Sequence, residues 1–128
     1  MAVKLDIGGI YYKRGDIVRV IIDNNERMGR EQRDSRPGVI VQNDISNKFL
    51  EITIVVFLTE AKNIKKLGPN HVFLKAGVDG VSKDSVALCN QIMSIDAAKR
   101  ISAKTGCISR ETMHEIDDAL KRTLGIED

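Results

Sequence analysis

Arg36 is the first residue to weigh. It stands between the charged run Gly29-Arg30-Glu31-Gln32-Arg33-Asp34-Ser35 and the apolar run Val39-Ile40-Val41, with Pro37-Gly38 as the junction. A loop that stops abruptly at Arg36-Pro37 and becomes a strand puts one arginine at the lip of that strand, where a rigid scaffold holds it. Its guanidinium is always charged and offers a planar fork of donors suited to phosphate. Arg27, Arg30, Arg33 and Arg36 recur at every third position, with Glu31 and Asp34 among them. The plainer reading is a solvated loop whose charges partly cancel. Long polar loops in compact domains are often functional, so phosphate or nucleic-acid binding stands beside it at about even weight.

Other chemistries have weaker support. His71 and His114 are the only histidines, and two histidines can serve as acid and base in RNA cleavage by an internal 2′-hydroxyl. His71 opens a strand after a Gly-Pro turn, and His114 falls off the apolar stripe of a helix. Nothing in the sequence joins them, so each is read as a surface or satisfied histidine. Asp79, Asp84, Asp96, Asp117 and Asp118 show no calcium-loop or zinc-peptidase spacing, and no metal is expected. There is no phosphate-cradling Gly-x-x-x-x-Gly-Lys loop and no nucleophile elbow. Cys89 lies in an apolar run and is expected to be buried rather than reactive; Cys107 is the other cysteine, and neither sits in a Cys-x-x-Cys pair.

Composition narrows the class. At 128 residues the chain is read as one domain, residues 1–128, with one core. It is 42% hydrophobic and 30% charged, as globular chains are. Aromatics make up only 4%, too few for a nucleic-acid binder that relies on stacking platforms. Twenty Lys and Arg face 18 Asp and Glu, so any basic patch must come from distribution rather than net charge. Met1–Ile10 lacks the apolar stretch of a signal peptide, and no run is long enough to span a membrane. A cytoplasmic protein with reduced thiols is expected.

The elements that must position Arg36 read as follows. Asp16–Ile22 is a β-branched strand. Pro37 begins the second strand, where its missing N–H is cheap. Asn43–Asn47 is read as a turn. Ile52–Leu58 is a nearly continuous apolar run, which suits a central strand buried on both faces. Lys62–Asn70 is a basic loop. His71–Leu74 and Ser85–Leu88 read as strands separated by an Asp79-Gly80 turn signal, and Ile92–Ile95 as a last short strand. Ser109 is a helix N-cap, Ile108 can staple onto Met113, and Met113, Ile116, Leu120 and Leu124 form an apolar stripe that Gly125 ends. Several short strands suggest a small barrel or sharply curved sheet with one amphipathic helix against it. Thr59 closes the central strand. If the strands on either side of Asn43–Leu50 are antiparallel neighbours, the start of one lies beside the end of the other, and Arg36 shares a sheet edge with Thr59.

At this point the chain resembles a known family. Tyr12-Lys13-Arg14-Gly15-Asp16-Ile17-Val18 is similar to the opening of the MazF/PemK-like toxins of bacterial toxin–antitoxin modules. Gly29-x-Glu31-Gln32-x-x-x-Arg36-Pro37, followed by Val39-Ile40-Val41-Gln42-Asn43-Asp44, resembles their most characteristic motif. Asp84-Ser85-Val86-x-Leu88-x-x-Gln91-Ile92-x-Ser94-Ile95-Asp96 matches a third block, and Ala119-Leu120 fits the final helix. The match runs from Tyr12 nearly to the end. It implies a mainly-β SH3-like barrel of the MazF/CcdB type with a C-terminal helix, acting as a homodimer without a cofactor. It further implies a metal-independent, sequence-selective endoribonuclease on single-stranded RNA, leaving a 2′,3′-cyclic phosphate and a 5′-hydroxyl. The family's catalytic positions fall on Arg36 and Thr59. The same matching makes Gln32, Asn43, Ser85 and Gln91 candidates for RNA contacts. Arg30 and Arg33 join them from the charged loop, and Glu31 holds the loop or tunes Arg36.

Physical chemistry limits the roles. Arg36 suits stabilisation of the charge that builds on a pentacovalent phosphate, and not general base work, because a guanidinium stays protonated in proteins. Thr59 can donate to a phosphate oxygen. The resemblance also implies an antitoxin whose acidic, apolar tail covers the groove, and the loop arginines suit such a tail as well as RNA. The chain departs from the common pattern in its longer first loop, in Arg30, Arg33 and Asp34 where small residues are frequent, and in Asn90 where some members carry an acid. Two other functions remain beside the nuclease: a CcdB-like gyrase-binding toxin, and a catalytically silent RNA-binding module.

Overall fold

The computed structural model describes residues 11–23 and 34–127. Within them, β1 (Asp16–Ile21), β2 (Ser35–Ile40), β3 (Ile52–Glu60), β4 (His71–Leu74), β5 (Ser85–Asp96) and β6 (Ile101–Cys107) form one sheet in the order β4-β5-β3-β2-β1-β6. Every pairing is antiparallel. Helix α1 (Asp44–Phe49) joins β2 to β3, α2 (Ala97–Arg100) joins β5 to β6, and α3 (Arg110–Leu124) follows β6. The expected mainly-β fold with a C-terminal amphipathic helix is observed, but the sheet is not closed by hydrogen bonds, since its end strands β4 and β6 share no ladder.

The β4–β5 loop connects those two ends instead. Gly80 has φ 71°, and a Cβ there would stand 2.5 Å from the Cys107 carbonyl oxygen; a Cβ at Gly106 would stand 2.6 Å from the Gly80 carbonyl oxygen. Glycine at both positions lets the loop backbone touch β6. Asp79, buried beside Gly80, fastens the contact. Its carboxylate accepts from the Ser109 N–H at 3.1 Å, the Ser109 hydroxyl at 2.8 Å and the Lys75 N–H at 3.0 Å. Burial pushes this carboxyl up, but the bonds from Ser109, Thr112 and Lys75 outweigh it and hold it below its ordinary value.

Alternation along the strands fills two cores, one on each face. Ile17, Val39, Val56, Leu58, Leu74, Ala87 and Cys89 pack with Ile108, Ile116 and Ala119 on the α3 side. Val18, Val20, Ile40, Val55, Phe57, Ile95 and Ile101 pack on the other. β3 supplies both, and this two-sided burial is what its unbroken apolar run predicts. Burial pushes the Cys89 thiol up to about 11, so it stays protonated and inert.

On α3, Ser109 caps the first turn by accepting from the Thr112 N–H at 3.2 Å, and Gly125 ends the helix at φ 72°. The buried stripe differs from the expected one at its end. Ala119 is fully buried, whereas Leu124 is 59% exposed, because the helix outruns the sheet beneath it. Arg14 ties α3 to the sheet: its guanidinium bonds both carboxylate oxygens of Asp117 and donates to the Val41 carbonyl at 2.9 Å.

Three other sequence expectations change. Asn43–Asn47 is no simple turn: Asn43 caps α1, accepting from the Ser46 N–H at 2.8 Å. Asn and Asp signal turns and helix caps alike. Ser85–Leu88 and Ile92–Ile95 are two ends of one strand, β5, with an irregularity between them. β6 was not foreseen, because Ile-Ser-Ala-Lys-Thr-Gly-Cys carries one large apolar residue and no alternation.

Candidate active site

Arg36 is the second residue of β2, and Thr59 is the last but one of β3. The ladder pairs Ile40 with Val55, Val39 with Val56 and Gly38 with Phe57. Continued in the same register, it sets Arg36 opposite Thr59. Side chains two apart share a face. Arg36 therefore shares the face of Ile40, and Thr59 that of Val55 and Phe57. The topology inferred from sequence brought these two residues to the same end of the strand pair, and the ladder, which ends two residues short at Gly38 and Phe57, points the same way.

Among the described residues, two contacts hold the Arg36 side chain. Its guanidinium carbon lies 4.4 Å from the centre of the Phe57 ring. One terminal nitrogen donates to Gln91 Oε1 at 3.2 Å. Gln91 reaches it through the irregularity in β5. Phe57 pairs with Leu88 and Val56 with Ile92, so Cys89, Asn90 and Gln91 have no register partner on β3. Bulges beside active sites commonly re-aim side chains in this way. Thr59 Oγ1 accepts from Asn63 Nδ2 at 3.0 Å, from the 3-10 turn that follows β3. With its lone pair engaged, the hydroxyl keeps its proton to donate.

The next residue, Glu60, belongs to the opposite face. Hydrogen bonding to Lys62, and then the charges of Lys62 and Lys83, lower its pKa. It lines a cavity of about 480 Å³ with Arg19, Leu58, Lys83 and Ser85. Neither Arg36 nor Thr59 borders that space.

The other sequence candidates divide. Gln91 joins Arg36. Ser85 is buried, donates to the Lys83 carbonyl at 2.8 Å and lines the cavity behind the sheet, away from Arg36. Asn43 lies beyond the far end of β2, engaged as the α1 cap. Arg27, Arg30, Glu31, Gln32 and Arg33 lie outside the described residues. His71 accepts from the Gly68 N–H at 2.9 Å and pairs with Leu88 on the β4 edge, and His114 is exposed on α3. The two histidines stand on separate elements. Among the described residues no group of three or more His, Cys, Asp or Glu side chains could hold a metal ion, and no helix is long and apolar enough to cross a membrane.

Sequence reasoning missed Phe57 and Asn63. Phe57 was legible as a face-mate of Thr59 from the two-residue period of the strand. Asn63 was not, because its bond depends on the tight turn after Glu60.

Among the described residues, the Gln91 side-chain oxygen is the acceptor found for the Arg36 guanidinium, and Thr59 stands at the adjoining end of β3. Comparisons with known proteins identify the family. Residues 13–124 match the family described as PemK-like, MazF-like toxin of type II toxin–antitoxin system. The chain is 38% identical over 114 residues to the Endoribonuclease MazF of Staphylococcus epidermidis, covering 89% of this chain and 92% of that protein. Among solved structures it is similar to a mycobacterial endoribonuclease in complex with its cognate antitoxin, with a TM-score of 0.72 and 20% identity over 91% of this chain and 98% of that one. It is also similar to MazF from Deinococcus radiodurans, with a TM-score of 0.69 and 22% identity over 92% and 100% of the two chains. At such identities the structural likeness speaks for the fold.

Proposed function

The chain belongs to the PemK-like, MazF-like toxins of type II toxin–antitoxin systems, and from that premise we propose that it is an endoribonuclease that cuts single-stranded RNA in a sequence-specific, metal-independent way. The reading is carried by the β2–β3 register, which, extended two residues beyond Gly38 and Phe57, sets Arg36 and Thr59 on one face.

In this mechanism the RNA 2′-hydroxyl attacks the adjacent phosphorus, and the 5′-oxygen of the next nucleotide leaves. A 2′,3′-cyclic phosphate and a 5′-hydroxyl result. Negative charge grows on the equatorial oxygens of the pentacovalent phosphorus. Arg36 meets it with donors that Gln91 leaves free, and Thr59 adds a hydroxyl donor whose direction Asn63 sets. Donors fixed before the reaction need no reorganisation as the charge develops, which is why such groups contribute strongly. Gln91, already bonded to Arg36, lies where a base flanking the reacting phosphate would pass. Arg30, Glu31, Gln32 and Arg33, which precede β2 in the sequence, are further candidates for RNA contacts by the family resemblance.

The biological reading follows from family membership. The protein cleaves mRNA in the cytoplasm, slows translation and growth, acts as a homodimer, and is restrained by a cognate antitoxin. The mycobacterial relative, seen with its antitoxin, supports that last partner.

The test is cleavage of a long RNA in EDTA with both new ends mapped. Cyclic phosphate and 5′-hydroxyl ends at a recurring sequence, lost in Arg36→Ala and Thr59→Ala proteins that still fold, are expected. Intact RNA across varied sequences, or full activity in Arg36→Ala, would sink the reading. Trapped gyrase–DNA complexes without RNA cleavage would point to a gyrase poison instead.

A further inference from the structure

We propose that Phe57 is a positioning residue: its ring is a shelf that holds the Arg36 guanidinium flat and aimed at the reacting phosphate. The proposal rests on the ribonuclease reading of the Arg36 site.

Three observations carry it. Phe57 is 5% exposed and packed among Val18, Val20, Ile40, Val55, Ile95 and Ile101, so its ring is held by the core. The guanidinium carbon stands 4.4 Å from the ring centre, well inside the range in which an aromatic face attracts a cation. Gln91 adds one neutral hydrogen bond from the side, at 3.2 Å.

Each contact restrains Arg36 without neutralising it. A free arginine side chain samples many rotamers, and ordering it on substrate would cost conformational entropy at the transition state. A carboxylate anchor would remove that cost but would compete with the phosphate for the same donors. The ring fixes the plane, contributes no formal charge and sheds water from one side of the cation. Less water means a stronger field at the phosphate. The sequence carries the device as a two-residue step along β3, with Phe57 beneath Arg36 and Thr59 beside it.

The experiment compares Phe57→Tyr with Phe57→Leu, using thermal melting to show that each is folded. Phe57→Met repeats the test if the Leu protein melts too low. Three readouts are taken: the single-turnover cleavage rate at saturating RNA in EDTA, the affinity for an uncleavable RNA with a 2′-deoxy group at the cut site, and the NMR shift of the Arg36 Nε–H. Tyr keeps an aromatic face and should keep the rate. Leu should lose about three- to thirtyfold in rate, the strength of a cation–ring contact, with affinity within about twofold. The Arg36 Nε–H should show a ring-current shift in the wild type and the Tyr protein and lose it in the Leu protein. Equal rates in the Leu and Tyr proteins, or a loss confined to affinity, would overturn the positioning role. An unchanged Nε–H shift between wild type and Leu would overturn the stacking itself, with or without cleavage. A wild-type protein that leaves RNA uncut would overturn the ribonuclease reading, and the shift would still decide the stacking.

Discussion

Arg14 and Arg36 lie near opposite ends of β2, and their surroundings put one side chain to two uses. Arg14 is tied on several sides: two bonds to the Asp117 carboxylate and one to the Val41 carbonyl join α3 to the sheet. Its charge is answered inside the protein. Arg36 has a ring face and one amide oxygen as the contacts found among the described residues, and neither carries a formal charge. Where each nitrogen of an arginine donates to a partner in the fold and a carboxylate answers its charge, it holds the structure together. Where the structure restrains an arginine but leaves donors over, it is set for an anion.

That contrast is open to test. The largest effect belongs to Arg36→Ala, which should lower the cleavage rate by roughly a hundredfold or more while the melting midpoint hardly moves. A large loss of stability would collapse the distinction between the two arginines. On the tied side, Gly80→Ala should cost about 2–3 kcal/mol in denaturant unfolding, because it combines a positive φ with a Cβ 2.5 Å from the Cys107 carbonyl oxygen. Its rate per folded molecule should stay near that of the wild type. Arg14→Ala comes next, at about 1–2 kcal/mol, discounted because both side chains of the pair are about a third exposed. Wild-type cleavage by the folded fraction is the matching check, and a rate loss as deep as that of Arg36→Ala would refute the assignment.

The smallest effect is conditional on pH. The folded pKa of Asp79 lies below its unfolded value. Its carboxylate therefore stabilises the fold above the ordinary range near pH 4, and that stability is lost as pH falls through the folded pKa. Asp79→Asn should cost about 1 kcal/mol at neutral pH, and the gap to the wild type should close on acidification. A constant gap across a pH series of urea melts would count against the carboxylate as the fastener.

Much of this arrangement was legible before any coordinates. The apolar run of β3 announced a strand with two buried faces, and Pro37 pointed to the start of β2, although pairing with β1 carries the strand back two residues to Ser35. Short antiparallel connection then placed Arg36 with Thr59, because the pleat and its period leave little freedom once the neighbours are known. β6 escaped because an edge strand needs little apolar patterning, and its partner β1 supplies the pairing. The two halves of β5 read as separate strands because the bulge at Cys89–Gln91 breaks the pattern, and that same break delivers Gln91 to Arg36. Ser85 and Asn43 were drawn from motif matching alone, which carries no information about sheet faces. Their places behind the sheet and beyond its far end followed only from the register.

One earlier feature sets the electrical sign of the site. Thr59 and Glu60 are adjacent on β3 and point to opposite sides of a sheet one strand thick. A slip of β3 by a single residue would exchange them, bringing a carboxylate to the face that carries Arg36. The register is held at the other end of the strand. There Asn47 Oδ1 accepts from the Thr53 hydroxyl at 2.7 Å and from Gln42 Nε2 at 2.8 Å, and Gln42 also donates to the Ile52 carbonyl at 2.8 Å. An amide knot at the far end of β3 therefore helps fix which of Thr59 and Glu60 faces the Arg36 side of the sheet, and with it the charge that this side presents.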